Sequence, residues 1–93
     1  MIGDGNVVNQ RHMALWSELD GLEKGIRQSS VFTDADKLSV IADIETLKEQ
    51  LAKPEPEPGV VNTLWTQIER FVVGSQFAEY AARIGPFIAG LST

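Results

Sequence analysis

The sequence contains no cysteine and only one histidine, His12. The absence of cysteine excludes disulfides, thiolate nucleophiles and cysteine-based zinc sites. A lone imidazole has no second histidine with which to bind zinc, and we interpret His12 as a polar residue on a helix seam, with a pH-sensitive switch as the alternative. No glycine-rich phosphate loop, HExxH motif or GxSxG elbow occurs. We therefore expect a protein that is not an enzyme and that has no catalytic residues, no metal and no cofactor.

Basic residues are also scarce. The chain has 8 Lys and Arg residues against 13 Asp and Glu residues, which gives a net charge of −5. Affinity for a phosphate backbone comes mainly from Lys and Arg that displace counterions, so we expect no nucleic acid partner. The first ten residues lack the basic region and apolar run of a signal peptide. A cytoplasmic location is the corresponding expectation.

Apolar residues are plentiful, at 43% of 93 residues, and they recur at helical spacing. A chain of this length can bury one modest core. We predict an all-α fold, a four-helix bundle-like single domain over residues 1–93. Its parts are a short extended or hairpin-like N-terminal segment at 1–8, helices at 9–29, 33–52, 58–73 and 75–91, and a Pro/Glu connector at 53–59.

Local signals mark the ends of these helices. Thr33 followed by acids is typical of a helix start, and Gly74-Ser75 predicts a break. Pro86 removes one amide donor, which predicts a bend. Gly21 and Gly25 lie four residues apart in the first helix, and they indicate either close approach of a neighbouring backbone or a helix that weakens toward Gln28. We expect weakening, because each glycine costs about 1 kcal/mol relative to alanine.

The helices carry more apolar surface than one small bundle can easily hide, and an exposed apolar stripe normally marks a partner surface. We therefore predict a non-catalytic module for protein–protein interaction or self-association. A homodimer is the simplest closed assembly, and another protein is the other possible partner. The predicted interface residues lie on two seams: Leu15, Leu19, Leu22 and Ile26 on the first, and Phe77, Tyr80, Ile84, Phe87 and Leu91 on the second.

An alternative function is membrane activity through the apolar C-terminal segment 71–91. This segment is long enough to span a bilayer, but Glu79 and Arg83 stand near its centre. Each charge costs roughly 2.5–3.5 kcal/mol at the middle of an inserted helix. We therefore rank this alternative below protein–protein interaction.

One stretch resembles a known family. Leu47, Gln50, Leu51 and Ala52 end a charged helix, a Lys-Pro-x-Pro linker follows at 53–56, and Leu64, Trp65 and Ile68 lie in the next helix. This arrangement resembles small bacterial helical modules of the AbiTii type, which are associated with phage defence, and it covers about a third of the chain. The resemblance implies a non-catalytic accessory or oligomerisation module, with no catalytic residues to transfer.

Overall fold

Four helices form the fold in the computed structural model, which describes residues 12–92. They are α1 (Met13–Gln28), α2 (Asp34–Leu51), α3 (Pro58–Val72) and α4 (Ala78–Ser92). In space α1 packs against α2 and α4, and α3 packs against α2 and α4, so the helices form a ring. The described residues contain no strand. The predicted all-α, bundle-like fold is confirmed, whereas the predicted N-terminal segment 1–8 lies outside the described residues.

The observed helix ends follow local chemistry. The Thr33 hydroxyl accepts a hydrogen bond of 3.1 Å from the amide of Asp36, which caps α2. Pro58 is the first residue of α3, where its missing amide proton costs nothing. The largest shift within the described part is at α4, predicted from residue 75 but observed from Ala78. The Ser75 hydroxyl instead stabilises the preceding turn, accepting from the amide of Phe77 at 3.1 Å and donating to the carbonyl of Val72 at 2.8 Å.

The proline-rich connector is tied to the bundle through Gln50. This side chain is buried at the end of α2, and its Oε1 accepts a hydrogen bond of 3.2 Å from the amide of Glu57. Lys53 and Glu57 also form an ion pair of 3.7 Å across the connector. The connector is therefore held at both ends, and it fixes where α3 begins.

All four helices contribute to one hydrophobic core. Its fully or nearly fully buried apolar side chains are Leu15, Leu19, Leu22, Ile26, Val40, Ile41, Ile44, Leu47, Leu51, Val61, Trp65, Ile68, Val72, Phe77, Ile84 and Ile88. His12 lies at the edge of this core, 4% exposed, and its Nδ1 atom has no hydrogen-bond partner within the structure as described. The other polar groups are mostly outside, as expected for a core of this kind.

The two glycines of α1 lie against the aromatic rings of Phe77, in the turn just before α4, and of Tyr80, in α4. A Cβ atom built on Gly25 would lie 2.8 Å from Cε1 of Phe77, and one built on Gly21 would lie 3.2 Å from the hydroxyl of Tyr80. Helix α1 continues through both positions to Gln28. The neighbour at both glycines is an aromatic side chain and not a backbone, and the expected weakening of α1 stays a prediction.

Pro86 lies inside α4, which continues through it to Ser92. Because proline has no amide proton, it cannot bond back to the carbonyl of Ala82. Both residues face away from the core, where solvent can satisfy that carbonyl. The predicted bend at this position stays a prediction.

Candidate interaction surface

The first predicted seam lies inside the chain. Leu15, Leu19, Leu22 and Ile26 are at most 1% exposed, and all four belong to the intramolecular core. They pack between α1 and the other helices because this face of α1 is the one that points into the ring. A second chain cannot contact them without unfolding the bundle, so they contribute stability and offer no interaction surface.

The second predicted seam is divided between core and surface. Phe77 and Ile84 are buried, and Tyr80 and Leu91 are half-buried against the core. Only Phe87 is exposed, at 41%. One exposed aromatic ring does not form a continuous apolar surface on α4. The remaining candidate surfaces are the grooves between helices.

The α1–α2 face is covered by paired charges. Lys48 Nζ lies 3.0 Å from Asp20 and 3.3 Å from Glu23, and it also lies 4.4 Å from the centre of the Trp16 ring. Arg27 bonds Glu23 at 2.9 Å and lies 3.2 Å from Glu45. Hydrogen bonds from Lys48 and then from Lys24 lower the pKa of the Asp20 carboxyl. These groups already satisfy one another, which makes this face a poor docking surface.

The opposite side of α2 faces a different groove. Between α2 and α3 lies an open depression of about 400 Å³, lined by Ser39, Asp43, Gln67, Arg70 and Phe71. Helix α2 supplies one wall and α3 the other. Phe71 is half-buried and packs against the core, so it forms an apolar floor beneath polar walls.

A second depression of about 540 Å³ continues this groove toward the α1–α2 and α3–α4 connectors. It shares Arg70 and Phe71 with the first, so the two form one channel, which we name the α2–α3 groove. Its remaining lining residues are Val31, Phe32, Asp36, Gly74, Ser75 and Gln76. Phe32 packs edge-on against Phe71, with ring centres 6.3 Å apart, and stacks on Phe77 at 6.2 Å. These ring contacts connect the floor of the groove to the hydrophobic core through Phe77.

Asp43 and Arg70 give the groove its electrostatic character. Burial raises the pKa of the Asp43 carboxyl, because a desolvated carboxylate favours its neutral form. No ion pair involving Asp43 or Arg70 occurs among the described residues, although they line facing walls of one groove. The groove therefore offers two acids, Asp36 and Asp43, and one guanidinium, none of which forms an ion pair within the described residues, above an aromatic floor.

These residues were not candidates in the sequence. Asp43 and Arg70 each stand on the polar face of an amphipathic helix, like most charged residues in the chain. Their proximity depends on how α2 and α3 are paired, and the spacing within either helix carries no information about this. Phe71 carried a weak signal, as an aromatic residue at the margin of the apolar face of α3.

Comparisons with known proteins do not place the chain in a family: no family model, no curated protein and no solved structure matches it. Within the described residues, none of the helices is both long and apolar enough to cross a membrane. The segment 71–91 is divided between the end of α3, a turn and α4. Its buried side chains, among them Ile84 and Ile88, belong to the common core.

Proposed function

We propose that the chain is a non-catalytic protein–protein interaction module that self-associates through the α2–α3 groove. The observation that carries this proposal is the aromatic floor of the groove, formed by half-buried Phe32 and Phe71 between walls that carry Asp36, Asp43 and Arg70. The centres of protein interfaces are depleted in charged residues and enriched in aromatic residues and arginine. The groove has the aromatic residues and the arginine of this composition, whereas the α1–α2 face is covered by paired charges.

The rim of the groove adds apolar surface. Val31 is 59% exposed, and it lies beside Phe32 and across from Gly74. Removing such a side chain from water stabilises an association by roughly 25 cal/mol for each Å² of apolar area buried. A second copy of this chain is the occupant we favour, because a groove that carries both Asp43 and Arg70 can meet the same groove of another copy with opposite charges in contact.

The biological setting is part of the same proposal. The resemblance of residues 47–68 to AbiTii-type modules supports an accessory role in a bacterial phage-defence or stress system, and a cytoplasmic location is part of this proposal. In such a role the module holds protein subunits together, and another component of the system carries out any catalysis.

The proposal is tested by the mass of the protein in solution at increasing concentration. We expect the mass to rise from that of one chain, 10.2 kDa, toward twice that value. Replacing Ser39 with arginine introduces a long side chain into the groove beside Asp43, and it should weaken association at least about tenfold, which corresponds to about 1.4 kcal/mol.

Ser17→Arg is the matched control. Ser17 is an exposed serine on α1, away from the groove. Each serine has an acid on the next turn of its helix, Asp20 for Ser17 and Asp43 for Ser39. It should associate like the unmodified chain. A chain that keeps the mass of one molecule at every concentration would contradict self-association, and a loss of association in Ser17→Arg alone would move the interface to another face.

A further inference from the structure

Asp43 and Arg70 have opposite charges and lie on facing walls of the α2–α3 groove, one on α2 and one on α3. Within the described part of the chain, each lacks the ion pair that its neighbour could have supplied. Lys48 and Glu45 of α2 do form ion pairs, with Asp20 and Arg27 respectively. The groove thus contains a donor and an acceptor of opposite charge that a partner can contact.

Two-fold symmetry supplies both partners at once. In a symmetric dimer, residue i of one copy contacts residue j of the other, and residue j contacts residue i. We infer that a two-fold axis passes through the α2–α3 groove, so that Asp43 of each copy pairs with Arg70 of the partner subunit. This inference rests on the proposed self-association and names the contacts that specify it.

The environment of each group favours such a pair. Asp43 is half-buried, and burial raises the pKa of its carboxyl, so part of the cost of desolvating the carboxylate is present before any partner arrives. Arginine presents a planar fork of donors that matches a carboxylate and is only weakly hydrated. Phe71 lines the same depression, and an apolar surface beside an ion pair lowers the local dielectric, which strengthens the pair.

Asp36 is the other acid that lines the groove, at its wider end near Val31. It is exposed and lies in the first turn of α2, where the helix dipole already stabilises a negative charge. Because Asp36 has this stabilisation and Asp43 does not, Asp43 gains more from a cation of the partner. The two-fold axis is accordingly placed between Asp43 and Arg70.

Charge reversal tests the pairing. Asp43→Arg places like charges opposite Arg70 of the partner subunit, and Arg70→Asp places like charges opposite Asp43, so each variant alone should dimerise at least about tenfold more weakly than the unmodified chain. A mixture of the two variants behaves differently. In the mixed pair every contact joins an arginine to an aspartate, so the mixture should dimerise within about threefold of the unmodified chain.

Sedimentation equilibrium measures all of these dissociation constants, with circular dichroism to show that each variant remains helical. Glu49→Arg is the control, since Glu49 is an exposed acid on α2 that does not line the groove, and it should dimerise like the unmodified chain. If either reversal unfolds the bundle, Asp43→Asn and Arg70→Gln replace it, and each should weaken the dimer without like-charge repulsion.

The outcomes separate the two proposals. If the unmodified chain dimerises and the reversed variants do so equally well, or if their mixture is as weak as each alone, the Asp43–Arg70 pairing is overturned while self-association stands. If the unmodified chain stays a single molecule at every concentration, both proposals fail.

Discussion

Replacing Gly25 with alanine tests the close packing of α1 on α4. The new methyl group would lie 2.8 Å from Cε1 of Phe77, which is closer than real carbon contacts allow. The ring cannot easily move away, because it is 8% exposed and stacked on Phe32 with ring centres 6.2 Å apart. The variant must therefore shift either the ring or the helix.

The magnitude follows from two opposing effects. Overpacking a well-packed site costs about 1–3 kcal/mol, whereas alanine is favoured over glycine inside a helix by about 1 kcal/mol. The net expectation for Gly25→Ala is a loss of about 0–2 kcal/mol of unfolding free energy. In a domain of this size, 1 kcal/mol corresponds to roughly 4–8 °C in melting temperature.

Two other glycines provide a graded comparison. Gly59 has nothing within 4 Å of a built Cβ atom, so Gly59→Ala should gain up to about 1 kcal/mol. At Gly21 the nearest atom is the Tyr80 hydroxyl, at 3.2 Å, on a half-buried side chain that can adjust, and Gly21→Ala should fall between the two. Urea unfolding followed by far-ultraviolet circular dichroism gives all three values. If Gly25→Ala stabilises the protein as much as Gly59→Ala does, the reasoning about α1–α4 contact is refuted.

Three further substitutions test the fold, each by its effect on the urea midpoint. Leu19→Ala should lower the unfolding free energy by about 2–5 kcal/mol, because Leu19 is fully buried. The dissociation constant of the dimer formed by the folded protein should not change. A weaker dimer without loss of stability would instead show that Leu19 lies in the interface. Thr33→Ala should cost about 1 kcal/mol through loss of the α2 cap, and an unchanged midpoint would show that the cap is dispensable. Hydrogen bonds from Lys48 and Lys24 lower the pKa of Asp20 in the folded protein below its ordinary value of 3.8. The Asp20 carboxylate therefore stabilises the folded state above pH 3.8, and this stabilisation is lost as the pH falls through the pKa of the folded state. Asp20→Asn should therefore be less stable by about 0.5–1 kcal/mol at pH 7, and the difference should shrink below about pH 4; a constant difference would contradict this assignment.

The helices could be predicted from the sequence because local chemistry determines their ends. The signals at these ends act within a few residues. They are Thr33 followed by two acids, the proline connector before Pro58, and the Gly74-Ser75 pair. The periodic apolar residues then identified which face of each helix is buried. Where the apolar side chains are covered depends instead on the number and arrangement of neighbouring helices.

The interaction surface could not be predicted in the same way. The seam of α1 was interpreted as an interface, but it is buried in the core of the same chain, where α1 packs against α2 and α4. Gly25 was expected only to weaken its helix, because the aromatic ring that packs against it belongs to Phe77, which is distant in the sequence. Asp43 and Arg70 come together only through the pairing of α2 with α3. Each of these features depends on contacts between distant residues, which spacing within one helix does not encode.

Self-association through the α2–α3 groove is the central claim, and one distance measurement addresses it directly. Because the chain has no cysteine, a single introduced cysteine can carry a spin label without competition. Thr46 is exposed on α2 one turn beyond Asp43, at the margin of the groove, and Ser17 is exposed on α1 away from it. The dipolar distance between labels in two copies should be short for Thr46→Cys and clearly longer for Ser17→Cys. The reverse order, or no dipolar signal from either variant at high concentration, would contradict the claim.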